Sequence, residues 1–507
     1  MGMLRTLVGR RVPEKYRKYL KLPSRRDSLK IEDTADSRLG QIATSWLDGR
    51  NGKSGVFRLN VGLDALSVRM GLIDAADKCI DIQSYLIRDD LSGNLLGLKL
   101  IDAADRGVRV RLLMDDALTE EIDAGLLSIN EHVNIEVRVF NPFPRRRSRF
   151  ISLISNFNIL NRRMHNKSFT VDNRVTIVGG RNLADEYFQT SGSSEFIDED
   201  VLAIGPVVET VSEGFDEYWN MDEAIPIDSF DSPIEHPTIS ETIDGGVTYL
   251  EENEGSPFFL SIHDRLIKQL KNGELPFIEA EAHLVLDHPD KVRGLTRNQV
   301  GETTNFLSQL VSSAAREVII VSPYFVPQRQ GVEFLASLVR KGVRVVVITN
   351  SLASTNHSSV HAVYARYRKP LLRQGVELYE LRPRLNAPDS STDNQSKAKI
   401  TLHSKVAVVD RETAFVGSFN LDPRSLYINT EMGMAVVSDE FASAVAVSIG
   451  NSLQRQAYSL RLSRTGGIRW KYVTRDGERV AKNEPHTTIW RRGLTRLMSL
   501  LPIEGQM

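Results

Sequence analysis

A chain of 507 residues with 41% hydrophobic and 25% charged residues is long enough for two or more cores, which excludes a mainly disordered protein. Its formal net charge of -1 argues against a general polyanion binder, although cations cluster locally. The one cysteine, Cys79, excludes an internal disulfide, reads as core packing and gives no sign of an oxidising compartment.

In chain order, residues 1–45 form a basic N-terminal arm, in which Arg5, Arg10, Arg11, Lys15, Arg17, Lys18, Lys21, Arg25 and Arg26 alternate with Leu4, Leu7, Val8, Tyr16, Tyr19 and Leu20. Charges follow Met1 too soon for a signal-peptide core. No apolar run approaches the roughly 18–20 residues that span a bilayer. Two readings of the arm stay open, contact with anionic headgroups or a solvated terminus.

Residues 46–222 read as α/β. Leu63 to Lys78 has helical apolar spacing, Ile80 to Gln83 reads as a strand, Leu95 to Arg106 as a helix, and Val108 to Met114 and Asn134 to Val139 as strands. A run with Arg145, Arg146 and Arg147, an apolar stretch and then Arg162 and Arg163 follows. Charge runs are usually solvated, but this one adjoins apolar residues and the next motif, so a lid or lipid-contact element is expected.

That motif is His165-Asn166-Lys167-Ser168-Phe169-Thr170-Val171-Asp172, closed by Gly179-Gly180-Arg181-Asn182. Apolar and polar residues alternate and Asp172-Asn173 interrupts them, so two short strands joined by a turn are predicted. Residues two apart in a strand share a face. His165 and Lys167 would then point into one pocket that Asn182 reaches from beyond the glycines, a set of groups suited to phosphate.

Residues 223–300 break the pattern and read as a connecting segment with one helix near Phe258 to Leu270; His263 within it reads as filler. Residues 301–457 repeat the first half: helix Thr304 to Arg316, strand Val318 to Val321, helix Gly331 to Lys341, and strands Gly342 to Ile348 and Gly375 to Glu380. His403-Ser404-Lys405-Val406-Ala407-Val408-Val409-Asp410, closed by Gly417-Ser418-Phe419-Asn420, reproduces every polar position of the first motif. The duplication predicts two α/β/α halves in one pseudo-twofold body, with both half-sites on a single phosphodiester. Aligning the strands after each motif puts Asp200 opposite Glu431, so these two are expected to hold a ring nitrogen of the adjacent His. Residues 458–507 are basic again. Their end, Trp490 to Pro502, suits an interfacial helix or one packed on the body.

Two copies of His-x-Lys-x-x-x-x-Asp with a downstream Gly-Gly/Ser-x-Asn resemble the signature of the phospholipase D superfamily. Asn161 to Lys167, Gly179 to Leu183, Val360 to Arg368 and Leu501 to Glu504 resemble its bacterial cardiolipin synthase C type. The departure from the usual first motif is Gly180 in place of Ser. The resemblance implies duplicated phospholipase D-like halves and phosphatidyl transfer, forming cardiolipin from phosphatidylglycerol and a second phospholipid, phosphatidylethanolamine, through a phosphohistidine. It further implies a small helper protein and peripheral contact with the cytoplasmic face of the bacterial inner membrane.

On this resemblance His165 is the nucleophile and His403 the acid and then base, an order that could be reversed. Lys167, Lys405, Asn182 and Asn420 bind the non-bridging oxygens, and Asp172 and Asp410 tie down loops. By analogy His361 and Tyr364 line the acceptor side. No cofactor or metal is expected, because paired His and cations already supply what a divalent ion would, and the His, Asp and Glu residues lack a ligand pattern. The alternatives are a lipid hydrolase, less readily a nuclease, since the cations flank apolar runs rather than stacking aromatics, and a scaffold, which would need one motif to have decayed.

Overall fold

The computed structural model describes residues 27–50, 52–119, 121–143, 161–190, 194–230, 235–260, 265–294, 300–383, 399–474 and 477–500. Arg145, Arg146, Arg147, His263 and most of the basic arm lie outside them.

The predicted helices and strands of both halves form. In the first half, strands Cys79–Ser84, Arg109–Asp115 and Ile135–Phe140 are parallel neighbours. Beyond Cys79–Ser84 the sheet continues antiparallel through Ser168–Val171, Val175–Gly179, Asp200–Ile204 and Ser54–Leu59. The second half matches it. Glu317–Val321, Arg344–Asn350 and Glu377–Leu381 are parallel, and Lys405–Val409, Thr413–Gly417 and Met432–Val437 follow antiparallel. Runs such as Val345-Val346-Val347 are apolar on both faces because helices cover the parallel strands on both sides.

The motif hairpins turn through Asp172 and Asn173 (φ 52° and 49°) in one half and Asp410 and Arg411 (φ 52° and 59°) in the other. Paired left-handed residues match the twist of tight hairpins, which is why a short polar pair stands there. Each aspartate also anchors its turn. The Asp172 carboxylate accepts from the backbone N–H of Asp77, Lys78 and Cys79 at 3.1, 2.8 and 3.0 Å. Asp410 accepts from Ala315, Arg316 and Glu317 at 2.8, 2.7 and 2.8 Å.

The segment expected to be only a connection contributes to the body. Its strand Ile278–Leu286 pairs through Ile278–Ala280 with Ser54–Val56 of the first half and through Glu281–Leu286 with Met432–Val437 of the second. The two sheets therefore run on as one. Val178, Val201 and Ala203 of the first half share a core with Val406, Val408, Val416 and Met434 of the second, so the halves cannot separate without exposing apolar surface. Near the end of the chain, strands Ala457–Leu462, Ile468–Thr474 and Gly477–Ala481 extend the second sheet, and helix Ile489–Met498 packs on helix Ser358–Tyr364.

Candidate active site

Two cross-half contacts set the two motifs against each other. Strand Ser194–Ile197 of the first half runs parallel to Lys399–Leu402 of the second, and the N–H of His403 donates to the carbonyl of Ile197 at 2.8 Å. In the pseudo-symmetric position Met164 bridges Thr430, and the N–H of His165 donates to the Thr430 carbonyl at 2.9 Å. Each motif histidine thus enters the seam beside the segment that carries the other half's acids.

The carboxylates are exchanged. His165 Nδ1 lies 2.8 Å from Glu431 Oε2, and His403 Nδ1 lies 2.6 Å from Asp198 Oδ2. With Nδ1 engaged, the second nitrogen of each ring is the one left for chemistry. Both histidines are nearly buried, at 9% and 6% exposure. Tyr85 packs edge-on against His165 at 5.0 Å, Tyr187 edge-on against His403 at 4.9 Å, and Phe196 stacks on His403 at 5.3 Å.

The expectation for Asp200 is corrected. In the sheet Gly179 faces Asp200, while Gly417 faces Gly433, so the counterpart of Glu431 is Asp198, two residues earlier. Asp200 instead receives Arg69 Nη2 at 2.8 Å and Arg181 Nη1 at 3.1 Å. The pairing expectation for Glu431 is corrected too, since it serves the opposite half's histidine. The Gly180 departure has a steric cause. A Cβ there would sit 2.2 Å from Asp198 Oδ1, whereas its counterpart Ser418 donates to Glu431. Ser425 also donates to Glu431, at 2.7 Å. Asp198, Ser418, Ser425 and the three aromatics escaped the sequence reading. The sheet register, in which Gly179 faces Asp200 and Gly417 faces Gly433, is what identifies Asp198.

Lys167 Nζ donates to the carbonyl of His165 at 2.8 Å, and Lys405 Nζ lies 3.1 Å from His403 Nε2. The Asn182 amide donates to the Tyr187 hydroxyl at 2.7 Å. The Oδ1 atoms of Asn182 and Asn420 are buried without a protein partner, and either amide, turned over, would offer its N–H to an anion.

Burial controls the protonation states. It pushes His165 down to about 4, with Glu431 pulling the other way and Lys167 reinforcing the fall. Burial and then Lys405 push His403 down to about 3, against Asp198. The imidazoles are therefore neutral, although a carboxylate neighbour by itself favours the charged ring. Burial also lowers Lys167 to about 7 and Lys405 to about 8. For Asp198 burial acts upward, but the neighbouring His403 and Lys405 hold its carboxyl well below the usual range. Glu431 is likewise lowered, burial being outweighed by His165, Lys167 and Ser418. The result is two neutral bases, two lysines that exchange protons near neutral pH and two fixed anions around one space, a field suited to a phosphate.

Four expected contact residues are engaged within the fold. Arg163 is 3% exposed, donates to Asp115 and the Asn141 carbonyl, and stacks 4.1 Å over Phe143; buried and saturated, it faces no lipid. Arg162 is half-buried and donates to the Lys291 carbonyl at 3.0 Å. His361 Nε2 meets Arg368 at 2.6 Å and Glu484 at 3.3 Å, and Tyr364 is 2% exposed beneath the Arg368 guanidinium. That pair therefore braces the C-terminal segment rather than lining an acceptor site. Among the described residues no group of three or more His, Cys, Asp or Glu is placed to hold a metal ion.

The family model described as "Cardiolipin synthase, PLD-like domain" matches residues 70–219 and 307–451. The chain is 42% identical over 463 residues to the Cardiolipin synthase C of Escherichia coli (strain K12), covering 89% of this chain and 96% of that protein. It is 31% identical over 479 residues to an uncharacterized protein of Helicobacter pylori (strain J99), with 93% of each covered. Among solved structures, the phosphatidylserine synthase of Haemophilus influenzae Rd KW20 is similar with a TM-score of 0.56 and 12% identity, over 92% of this chain and 100% of that one. At that identity the likeness speaks to the fold alone.

Proposed function

Because this chain belongs to the cardiolipin synthase family of phospholipase D-like proteins, we propose that it makes cardiolipin by phosphatidyl transfer from one phospholipid to phosphatidylglycerol. The crossed pairs His165–Glu431 and His403–Asp198 carry this reading.

An enzyme acting on a phosphodiester must lower a barrier by well over ~10 kcal/mol. One general acid supplies only ~10²–10⁴ in rate, so a covalent step and charge stabilisation supply the rest. The neutral His165 attacks phosphorus through Nε2, the P–N bond forms, and the P–O bond to the donor's headgroup breaks. His403, protonated once the anion is bound, gives its proton to the leaving oxygen. It then takes the proton of the phosphatidylglycerol hydroxyl, whose oxygen attacks phosphorus and releases His165. Lys167, Lys405 and the two asparagine amides hold the non-bridging oxygens. Glu431 and Asp198 orient the rings and stabilise imidazolium as it forms, so each step needs groups from both halves. With phosphatidylethanolamine as donor, the headgroup released is ethanolamine.

Peripheral contact with the inner membrane's cytoplasmic face is part of the proposal. Among the described residues no helix is long and apolar enough to cross a membrane. Helix Ile489–Met498 docks through buried Thr495, while Ile489, Trp490, Leu494 and Leu497 are 59–85% exposed beside Arg491, Arg492 and Arg496. This composition suits an anionic lipid surface.

The test is mass spectrometry of the purified protein with vesicles of phosphatidylglycerol and phosphatidylethanolamine. Cardiolipin with free ethanolamine is the expected product. Phosphatidic acid alone would mean that water is the acceptor and the protein a hydrolase. Activity that appears only on adding back a membrane extract would point to the helper protein.

A further inference from the structure

A cavity of about 360 Å³ lies between helix Glu302–Ser312 and helix Gln328–Arg340, over the second half's sheet. Its volume falls within the roughly 300–1,000 Å³ of small-molecule sites. Its wall is mainly apolar, with Leu307, Val311, Ile320, Phe334, Phe415 and Phe419 prominent. Lys405 also lines it, and the same lysine reaches to 3.1 Å from His403 Nε2. The cavity therefore borders the strand that carries the motif lysine, next to the phosphate site.

Superposing the two motifs residue for residue makes the origin of this space plain. Arg69 falls at Leu307, Arg181 at Phe419, Phe169 at Ala407, and Asp200, by its sheet register, at Gly433. In the first half two buried guanidinium groups close on the Asp200 carboxylate and occupy this volume with ionic contacts. In the second half every member of that cluster is apolar or absent, and one bulky ring has become a methyl. A wall this largely apolar, whose charged member Lys405 turns its ammonium toward His403, favours hydrocarbon over a polar ligand. The hydroxyl of Thr304, also in the wall, is buried without a protein partner, a donor that a lipid ester oxygen would satisfy.

We propose that this cavity holds an acyl chain of the phospholipid whose phosphate lies between His165 and His403, and that it selects for chain length. The inference rests on the phosphatidyl-transfer reading. It assigns to the second half the hydrocarbon and leaves the first half closed.

Two experiments decide it. In mixed micelles of fixed composition, the ratio of turnover on a dioleoyl donor to turnover on a dihexanoyl donor is measured for the native chain and for Leu307→Trp and Ser308→Trp. Ser308 is an exposed wall residue, so its replacement does not disturb a core. Filling the space of two or more methylenes lowers the ratio about tenfold or more. An unchanged ratio, or an equal fall on both donors, would overturn the proposal. The second experiment photo-crosslinks a phosphatidylethanolamine with a mid-chain diazirine to His403→Ala protein, which needs no turnover. Adducts are expected on peptides of Glu302–Ser312 and Gln328–Arg340, and adducts confined to other elements would refute the assignment. Absence of any transfer product from the native chain would count against the phosphatidyl-transfer reading, while the adduct map would still decide the cavity.

Discussion

The two halves present the same hairpin, the same His and Lys and the same aspartate anchor, yet they support these in different ways. Behind the first motif lies an ionic cluster, Arg69, Asp200 and Arg181, almost wholly removed from solvent. Behind the second, Leu307 and Phe419 line an apolar cavity, and the Phe415 ring stands against Gly433. The catalytic geometry tolerates either backing because it is set by the hairpin and by the seam, where each histidine is held by the opposite half. What differs is what each half does with the space behind it. One closes it with charges that are worth having only while all three are present; the other keeps it open to hydrocarbon.

The sharpest way to break the comparison is to remove one histidine at a time. His165→Ala and His403→Ala are each expected to lower phosphatidyl transfer by about 10⁴-fold or more. The proteins should differ in trapping, with His403→Ala still accumulating phosphohistidine at His165 and His165→Ala accumulating none, as read by intact-protein mass spectrometry. The reverse pattern would exchange the two roles.

Next come the carboxylates. Asp198→Asn and Glu431→Gln leave ring geometry in place but weaken the forming imidazolium, with losses on the order of 10²–10⁴ in turnover. Asp200→Asn breaks a buried ion pair instead, costing roughly 3–5 kcal/mol of stability while the folded fraction turns over near the native rate. If Asp200→Asn matched Asp198→Asn in turnover at full folding, the register assignment would be wrong.

A smaller effect follows from pH. Lys167 and Lys405 carry their protons below about 7 and about 8, so their charge is present on the acid side and lost as pH rises. His165 is neutral above about 4 and does not limit that range. The value of kcat/KM, which reports the free enzyme, should therefore decline above about pH 7. Lys167→Arg, permanently charged, should move the decline upward. A profile flat through both values would contradict the assignment.

The smallest expected difference separates the two turn anchors. Asp172 is fully buried and Asp410 half-buried, although each accepts three backbone N–H bonds. Asp172→Ala should cost about 1–3 kcal/mol in chemical denaturation, and Asp410→Ala less, because water replaces its lost bonds. Equal losses would mean that burial does not distinguish the two turns.

Much of this was legible in advance, for identifiable reasons. Alternation of apolar and polar residues around Asp172-Asn173 marks a hairpin because side chains alternate faces along a strand. The repeat at His403 marks a second copy because the same local geometry needs the same residues. The reading slipped where one acid had to be chosen from Asp198-Glu199-Asp200, since three neighbouring carboxylates look alike until the sheet register separates them. It slipped again at Arg163, His361 and Tyr364, whose types suit lipid contact but whose polar atoms are spent inside the fold.

Local spacing thus determined by itself the two halves, their hairpins and the His, Lys and Asp of each motif, because these depend on backbone periodicity and turn conformation over a few residues. Only the tertiary structure decided which carboxylate meets which imidazole, for those partners stand 266 and 205 residues apart in the chain and belong to opposite halves. It alone also decided that Ile278–Leu286 seals the two sheets together and that the space behind the second motif stays open. Contacts of that range are set by how two packed cores share a seam, which no local pattern encodes.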